Sequence, residues 1–410
     1  MNMGWKTKNK NLKPSVILER IKGMVEISEG RVSFKGSSVQ EDLLTLQSML
    51  VFPSDLSDID KRRILWQAIA EAAAGQLNAE RLMECLSSIV KNENSVREDD
   101  YLLLTSISLK RNFRAKKILS DLGGIDFIGR PARKFISRSA AIAESAFHPI
   151  QSTGTYENIL IHVRSKSATR AATKALRVID LQRGIWCYLA NFEMQFSSNE
   201  WRPINRIRLG QIHTLHKKDG LLATSVIWHE PNFVSADLYI PEHPGIFLKN
   251  AAWIRRQINT SQYRDILESA LLRYVRALDE SDQNVALIKL WGALEGLASP
   301  HEQNADAIVR RCSFLYETPH YYSQVLEHLR EYRNKSVHAG DQSESAMLQC
   351  YQLQEFFRSL FLYHLRCSPE GVTFIQANAL LDMPTDHAQL LEKRGIIERA
   401  IKFRTPMGER

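Results

Sequence analysis

A chain of 410 residues is too long for one compact core and predicts two or three domains. With 44% hydrophobic and 24% charged residues its composition is that of an ordinary globular protein, which excludes fibrous and disordered classes; no apolar run reaches bilayer length. The net charge of +8 is uneven: residues 1–150 carry 23 basic against 18 acidic side chains, 151–250 carry 12 against 8, and 251–410 carry 19 against 20.

The basic start "MNMGWKTKNKNLKPSVILER" is followed only by "VIL", far short of a signal-peptide apolar stretch, so the expected location is cytoplasmic, with no membrane partner. Cys85, Cys187, Cys312, Cys350 and Cys367 are scattered and form no CxxC pair. They fit reduced thiols better than a disulfide frame or a zinc site.

From about residue 39 to 120 the apolar spacing reads as helix. "VQEDLLTLQSMLVF", "DKRRILWQAIAEAAAGQL", "NAERLMECLSSIV" and "EDDYLLLTSISLKRNFRAKKILSDL" each place apolar residues three and four apart. "HPIQSTGT" reads as a linker, which sets a domain boundary near residue 150. Basic residues are densest at 110–138, with nine basic and two acidic side chains, including Lys110, Arg111, Arg114, Lys116 and Lys117. Phe113, Phe127 and Phe135 are interleaved there, a mix able to hold a phosphate backbone and stack bases. A solvated helix face followed by a loop is the plainer reading of that stretch.

Residues 151–254 read as a mixed α+β region. "ENILIHVRS" alternates like a strand, "SATRAATKALRVIDLQRGIWCYLANF" reads as one long helix, and two strands flank a tight turn at Lys218-Asp219-Gly220. His213 and His216 lie three apart on that hairpin, point to opposite faces, and are expected to be surface histidines with no shared metal.

Residues 255–367 read as a helical bundle, with Ser261 as a helix cap, and residues 368–410 as a short helical appendage. The expected fold class is therefore mainly α: a C-terminal antiparallel bundle, a small mixed α+β region before it, and an N-terminal helical domain over 1–150.

Chemistry concentrates in "EYRNKSVHAG", residues 331–340. Arg333 emerges at the edge of an apolar stripe formed by Tyr322, Val325, Leu326, Leu329 and Tyr332, while Asn334 and His338 are four apart and share a helix face. Arg333 and His338 differ by about 140° of helical rotation, at ~100° per residue. An imidazole near neutrality can move the proton of a ribose 2′-hydroxyl or of the departing 5′ oxygen. A guanidinium can stabilise the charge that builds on phosphorus. No metal or cofactor is needed, and the product would carry a 2′,3′-cyclic phosphate. Such acid–base cleavage is best served by two histidines, which two chains about a two-fold axis would supply. Arg-x4-His alone is a weak signal: Glu295 paired with Arg333, and a dipole-favoured histidine at a helix C-terminus, describe the same residues structurally.

The setting of the motif adds to it. Arg-Asn-x-x-x-His near the end of the penultimate long helix of a bundle resembles the HEPN superfamily. "RALDESD" at Arg276–Asp282 leading into "LWGALEGL" at Leu290–Leu297 is similar to its Apea-like and plasmid-borne large bacterial members. The likeness covers about residues 155–367, and residues 1–150 lie outside it. It implies Arg333 and His338 as a catalytic pair, with Asn334 supporting; Glu295, on the Trp291/Leu294 helix, is a supporting candidate that would fix Arg333 or else face water. It also implies a metal-independent endoribonuclease acting on RNA as a homodimer, in an antiphage or toxin role with a protein trigger or antitoxin. Lys335, Arg330, Arg310 and Arg311 are weaker candidates for RNA contact. The alternative is a non-catalytic dimerisation or binding module whose basic front half holds nucleic acid or a partner. No GxxxxGK[ST], HExxH or cysteine–histidine ligand spacing is present to support a nucleotide-cofactor or metal enzyme.

Overall fold

The computed structural model describes residues 3–6, 11–28, 31–36, 38–53, 56–111, 117–120, 123–144, 156–194, 202–231, 233–299, 305–339 and 345–404. The chain is mainly α, with 61% of the described residues helical, and has a small sheet region. Among the described residues, no helix is long and apolar enough to cross a membrane.

The first unit is helical and shorter than its expected span. It comprises β1 (Gly4–Trp5), α1 (Pro14–Met24), the hairpin β2 (Val25–Ser28) and β3 (Arg31–Phe34), α2 (Val39–Ser48), β4 (Leu50–Val51) paired with β1, α3 (Asp58–Ala73) and α4 (Ala79–Ser95). Ser57 and Asp60 form a reciprocal capping box at the start of α3, and the Asn78 side chain caps α4. Leu18, Ile21, Leu46, Ile64, Leu65, Ile69, Leu82 and Leu86 fill a core of their own. The unit is tied to the rest through polar groups: Thr169 Oγ1 donates to Asp60 Oδ1 at 2.6 Å, and Arg170 reaches Glu93 at 3.2 Å.

After residue 95 the helical expectation fails. "EDDYLLLTSISL" forms β5 (Asp99–Ile107), and the basic stretch that follows holds β6 (Lys117–Ser120) and β7 (Gly123–Gly129). With β8 (Glu157–Ser165), β9 (Ile212–Lys217) and β10 (Trp228–His229) they make an antiparallel sheet in the order β10-β9-β5-β8-β7-β6. β5 pairs with β8 from Asp99↔Ser165 to Ile107↔Glu157, so the sheet runs across the boundary expected near residue 150. The misreading has a physical cause. β5 is a central strand buried on both faces, and its run of leucines does not alternate. Such a run cannot be told from a buried helix by period alone.

A short α5 (Ser137–Glu144) follows a 3-10 turn at Arg133–Phe135, and α6 (Ala168–Ala190) crosses the other face of the sheet. Phe127 of β7 meets Trp186 of α6 with ring centroids 6.0 Å apart. Gly184 lets α6 and the next layer approach: a Cβ there would stand 2.9 Å from Leu271 Cγ. That layer is α7 (Pro244–Thr260), α8 (Arg264–Ala277), α9 (Gln283–Ala298), α10 (Ala305–Ser313), α11 (Pro319–Ala339) and α12 (Ala346–Cys367). It begins with α7, before the expected start at 255, and Ser261 closes α7 rather than opening α8. Tyr274, Phe357 and Phe361 stack in series at its centre, with centroids 4.5 and 5.6 Å apart. One continuous apolar core runs from the sheet through α6 into this layer. α13 (Phe374–Leu381) leans on α10, whereas α14 (His387–Arg404) buries none of its residues.

The two hairpin histidines are not on the surface. Both are fully enclosed. Asp-Gly turn chemistry is as expected, with Gly220 at φ +94°, but the second strand of the hairpin forms only a bridge and the short β10. His216 is held between the Gly220 carbonyl and Thr214 Oγ1, each at 2.9 Å. His213 faces the other side, 2.7 Å from Thr105 Oγ1 and 3.3 Å from Glu230. All five cysteines are buried and unbridged.

Candidate functional site

α11 is positioned by its apolar stripe. Leu326 and Leu329 are fully buried, and Tyr322, Val325 and Tyr332 pack beside them. The Tyr332 hydroxyl donates to Asn284 Oδ1, which fixes the second half of α11 against the first turn of α9. Arg333 follows directly and is half-buried. Its Nη1 donates to Asn334 Oδ1 at 3.0 Å. Its Nε is buried with no hydrogen-bond partner among the described residues, and no carboxylate there forms an ion pair with it. α11 continues unbroken through residue 338, so Arg333 and His338 stand on one helix about 7.5 Å apart along the axis, at ~1.5 Å per residue. The His338 side chain and Gly340 lie outside the described residues.

Glu295 is not brought to this arginine. It sits in the last turn of α9, whereas Asn284 is in the first, roughly 16 Å away along the helix. It lines a cavity of about 340 Å³ with Asp265, Ser269, Arg273 and Ser299. The other basic candidates are locally engaged. Lys335 pairs with Glu331 at 2.9 Å and holds that carboxyl below its ordinary range. Arg330 pairs with Asp306 at 2.6 Å. Arg310 and Arg311 both bind Asp382 at 2.7 Å and join α10 to the end of α13. Their bonds outweigh the upward push of burial and lower the Asp382 pKa.

The basic stretch is reorganised by the sheet. Lys110 pairs with Glu157 at 3.2 Å, and Arg111 donates to the Phe127 carbonyl at 3.3 Å. Phe127 and Phe135 are buried, against Trp186 and His216, so they cannot stack on bases. Phe113, Arg114, Lys116 and the side chain of Lys117 lie outside the described residues.

Beneath the bundle lies a buried ionic clamp. Arg183 of α6 makes a two-armed contact with Asp279, at 2.7 and 2.6 Å, and reaches Asp180 at 2.9 Å. Arg276 bridges Asp180, at 2.8 Å, to Glu230, which also meets His213. Burial pushes the Glu230 carboxyl up, but His213, Arg276 and Arg183 more than offset it and hold it at about 2. "RALDESD" thus contributes Arg276 and Asp279 to the joint between bundle and sheet. Sequence reading passed over His162 as well. Register sets it opposite Gly124, and its ring lies 2.9 Å from Asp126 on the neighbouring strand. "ENILIHVRS" reads from its alternation only as a strand, which singles out no one residue. Among the described residues, no three His, Cys, Asp or Glu side chains converge as a metal set. Compared with family models, curated proteins and solved structures, the chain finds no match.

Proposed function

We propose that the protein is a metal-independent endoribonuclease whose reacting groups are Arg333 and His338, working as a homodimer in a defence or toxin setting. The observation that carries the reading is the state of Arg333. A half-buried guanidinium without a carboxylate, whose Nε has no acceptor among the described residues, is costly unless an anion completes it. A phosphodiester is such an anion, and a planar guanidinium donates to it through two nitrogens. Asn334 holds one arm of the guanidinium and leaves the rest for phosphate.

In this mechanism a His338 imidazole takes the 2′-hydroxyl proton, the 2′ oxygen attacks the adjacent phosphorus, and Arg333 stabilises the phosphorane. The 5′ oxygen leaves with a proton from a second imidazole, which the partner chain provides. Within one chain the two side chains diverge by about 140° around the helix, so a two-fold pairing of α11 helices is the economical way to complete the site. The rival reading, a non-catalytic binding module, draws on α14, which displays Leu391, Ile396, Ile397, Ile401 and Phe403 to solvent.

The test is cleavage of RNA in excess EDTA. Wild type should produce fragments ending in 2′,3′-cyclic phosphate, and His338→Ala should keep its fold and oligomeric state while losing about 100-fold or more in rate. Parental cleavage by His338→Ala would remove the assignment. No cleavage by wild type, with a phenotype that depends on α14, would favour the binding module.

A further inference from the structure

The second face of the sheet carries a site that the Arg333 reading does not use. One face packs on α6 through Leu103, Ile159, Ile161 and Leu215. On the other, Phe135 covers Leu102, Leu104 and Leu160, but its cover stops short of the upper ends of β5, β7 and β8. There a cavity of about 650 Å³ opens over Leu102, Leu160 and His162. Gly123, at the start of β7, lines it as well.

The rim is cationic. Lys134, Arg164, Lys174 and Lys218 line it against Glu98 and Asp100. Arg164 pairs loosely with Asp100 at 3.7 Å. Lys134 donates to the Lys218 carbonyl at 2.9 Å and Lys174 to the Arg164 carbonyl at 3.0 Å, bonds that neutralise no charge and leave donors on each ammonium. The Lys218 ammonium has no partner among the described residues. His162 lines the floor, its Nε2 held 2.9 Å from Asp126 Oδ2.

We infer that this cavity binds a phosphate-bearing ligand of nucleotide size, its phosphate on the lysine rim and its ring over Leu102, Leu160 and His162. Three lysines converging from the 3-10 turn, α6 and the hairpin turn suit an anion. The volume lies within the range of small-molecule sites, and Leu102 and Leu160 offer an apolar bed for a ring.

The test titrates the full-length chain calorimetrically with AMP, with inorganic phosphate and with a short RNA oligonucleotide. AMP should bind saturably, and phosphate about tenfold or more weakly. Lys218→Glu, whose side chain has no partner among the described residues, should weaken AMP about tenfold or more, while Lys249→Glu on α7 leaves it unchanged. No saturable AMP binding up to about 10 mM, or equal binding by Lys218→Glu, would overturn the proposal. Phosphate binding as tightly as AMP would overturn the nucleotide assignment. An oligonucleotide that binds more tightly than AMP and is equally sensitive to Lys218→Glu would overturn the small-ligand assignment in favour of a strand.

Discussion

Arg183 and Arg333 are the same residue type in opposite electrostatic situations. Arg183 is fully enclosed, between two carboxylates at 2.6–2.9 Å; burial pushes its pKa down, but Asp279 and Asp180 more than offset that and raise it well above the ordinary value. Arg333 is half-buried, touches one neutral amide and meets no carboxylate among the described residues. Arg138 is intermediate. Among the described residues it is bound by the Leu104 and Ile212 carbonyls and Thr214 Oγ1 and by no acid, and burial pulls it down to about 10. The contrast separates an arginine that completes a fold from one that awaits an anion. A buried cation with both charges matched locks elements together, and removing one member strands the other.

The largest effect expected from this comparison is on the clamp. Arg183→Ala leaves the Asp279 carboxylate with the neutral Asn205 amide at 2.8 Å and Arg276 at 3.7 Å, and should lower unfolding free energy by about 3–5 kcal/mol in urea titrations. A loss below about 1 kcal/mol would place the clamp among ordinary surface pairs.

A smaller effect concerns pH. His364 is fully buried behind Tyr263 and Phe374, and burial holds its pKa down at about 3. The folded state therefore binds the proton less well than the unfolded chain, whose imidazole titrates near 6.5. Stability is complete above that value and is lost as pH falls toward 3. From pH 6.5 to 5 the loss should be about 2 kcal/mol, and His364→Phe should flatten most of it. His216, also lowered by burial, adds in the same direction, whereas Glu230 enters only below about 4.5. An unchanged pH slope in His364→Phe would show that other groups govern acid sensitivity.

The bundle was legible because its helices announce themselves by period and by breaks. α6, α8, α9 and α12 fall where apolar spacing set them, and the Asp-Gly turn stands at 219–220. The sheet was less legible. β5 is covered on both faces, and its leucines fit either period. The hairpin histidines were misread because a polar type on a two-sided strand says nothing of what covers it. Thr105, Glu230 and the Gly220 carbonyl, each brought from elsewhere, enclose them. At the candidate site the residues were readable but not their pairing. Glu295 looked adjacent to Arg333 in composition, yet it lies at the far end of α9, because the Tyr332–Asn284 contact sets the register of α11. His162 and Asp126 needed strand register to become neighbours at all.

The smallest expected effect on stability belongs to Arg333→Ala. It should shift unfolding by less than about 1 kcal/mol, since among the described residues no ion pair is lost and an Nε without a partner is removed. That makes it the direct test. Unfolding free energy and RNA cleavage rate in EDTA are measured side by side for wild type and Arg333→Ala. The account predicts near-parental stability with cleavage down about 100-fold or more. Parental cleavage, or a loss of activity that merely follows a loss of stability like that of Arg183→Ala, would contradict it.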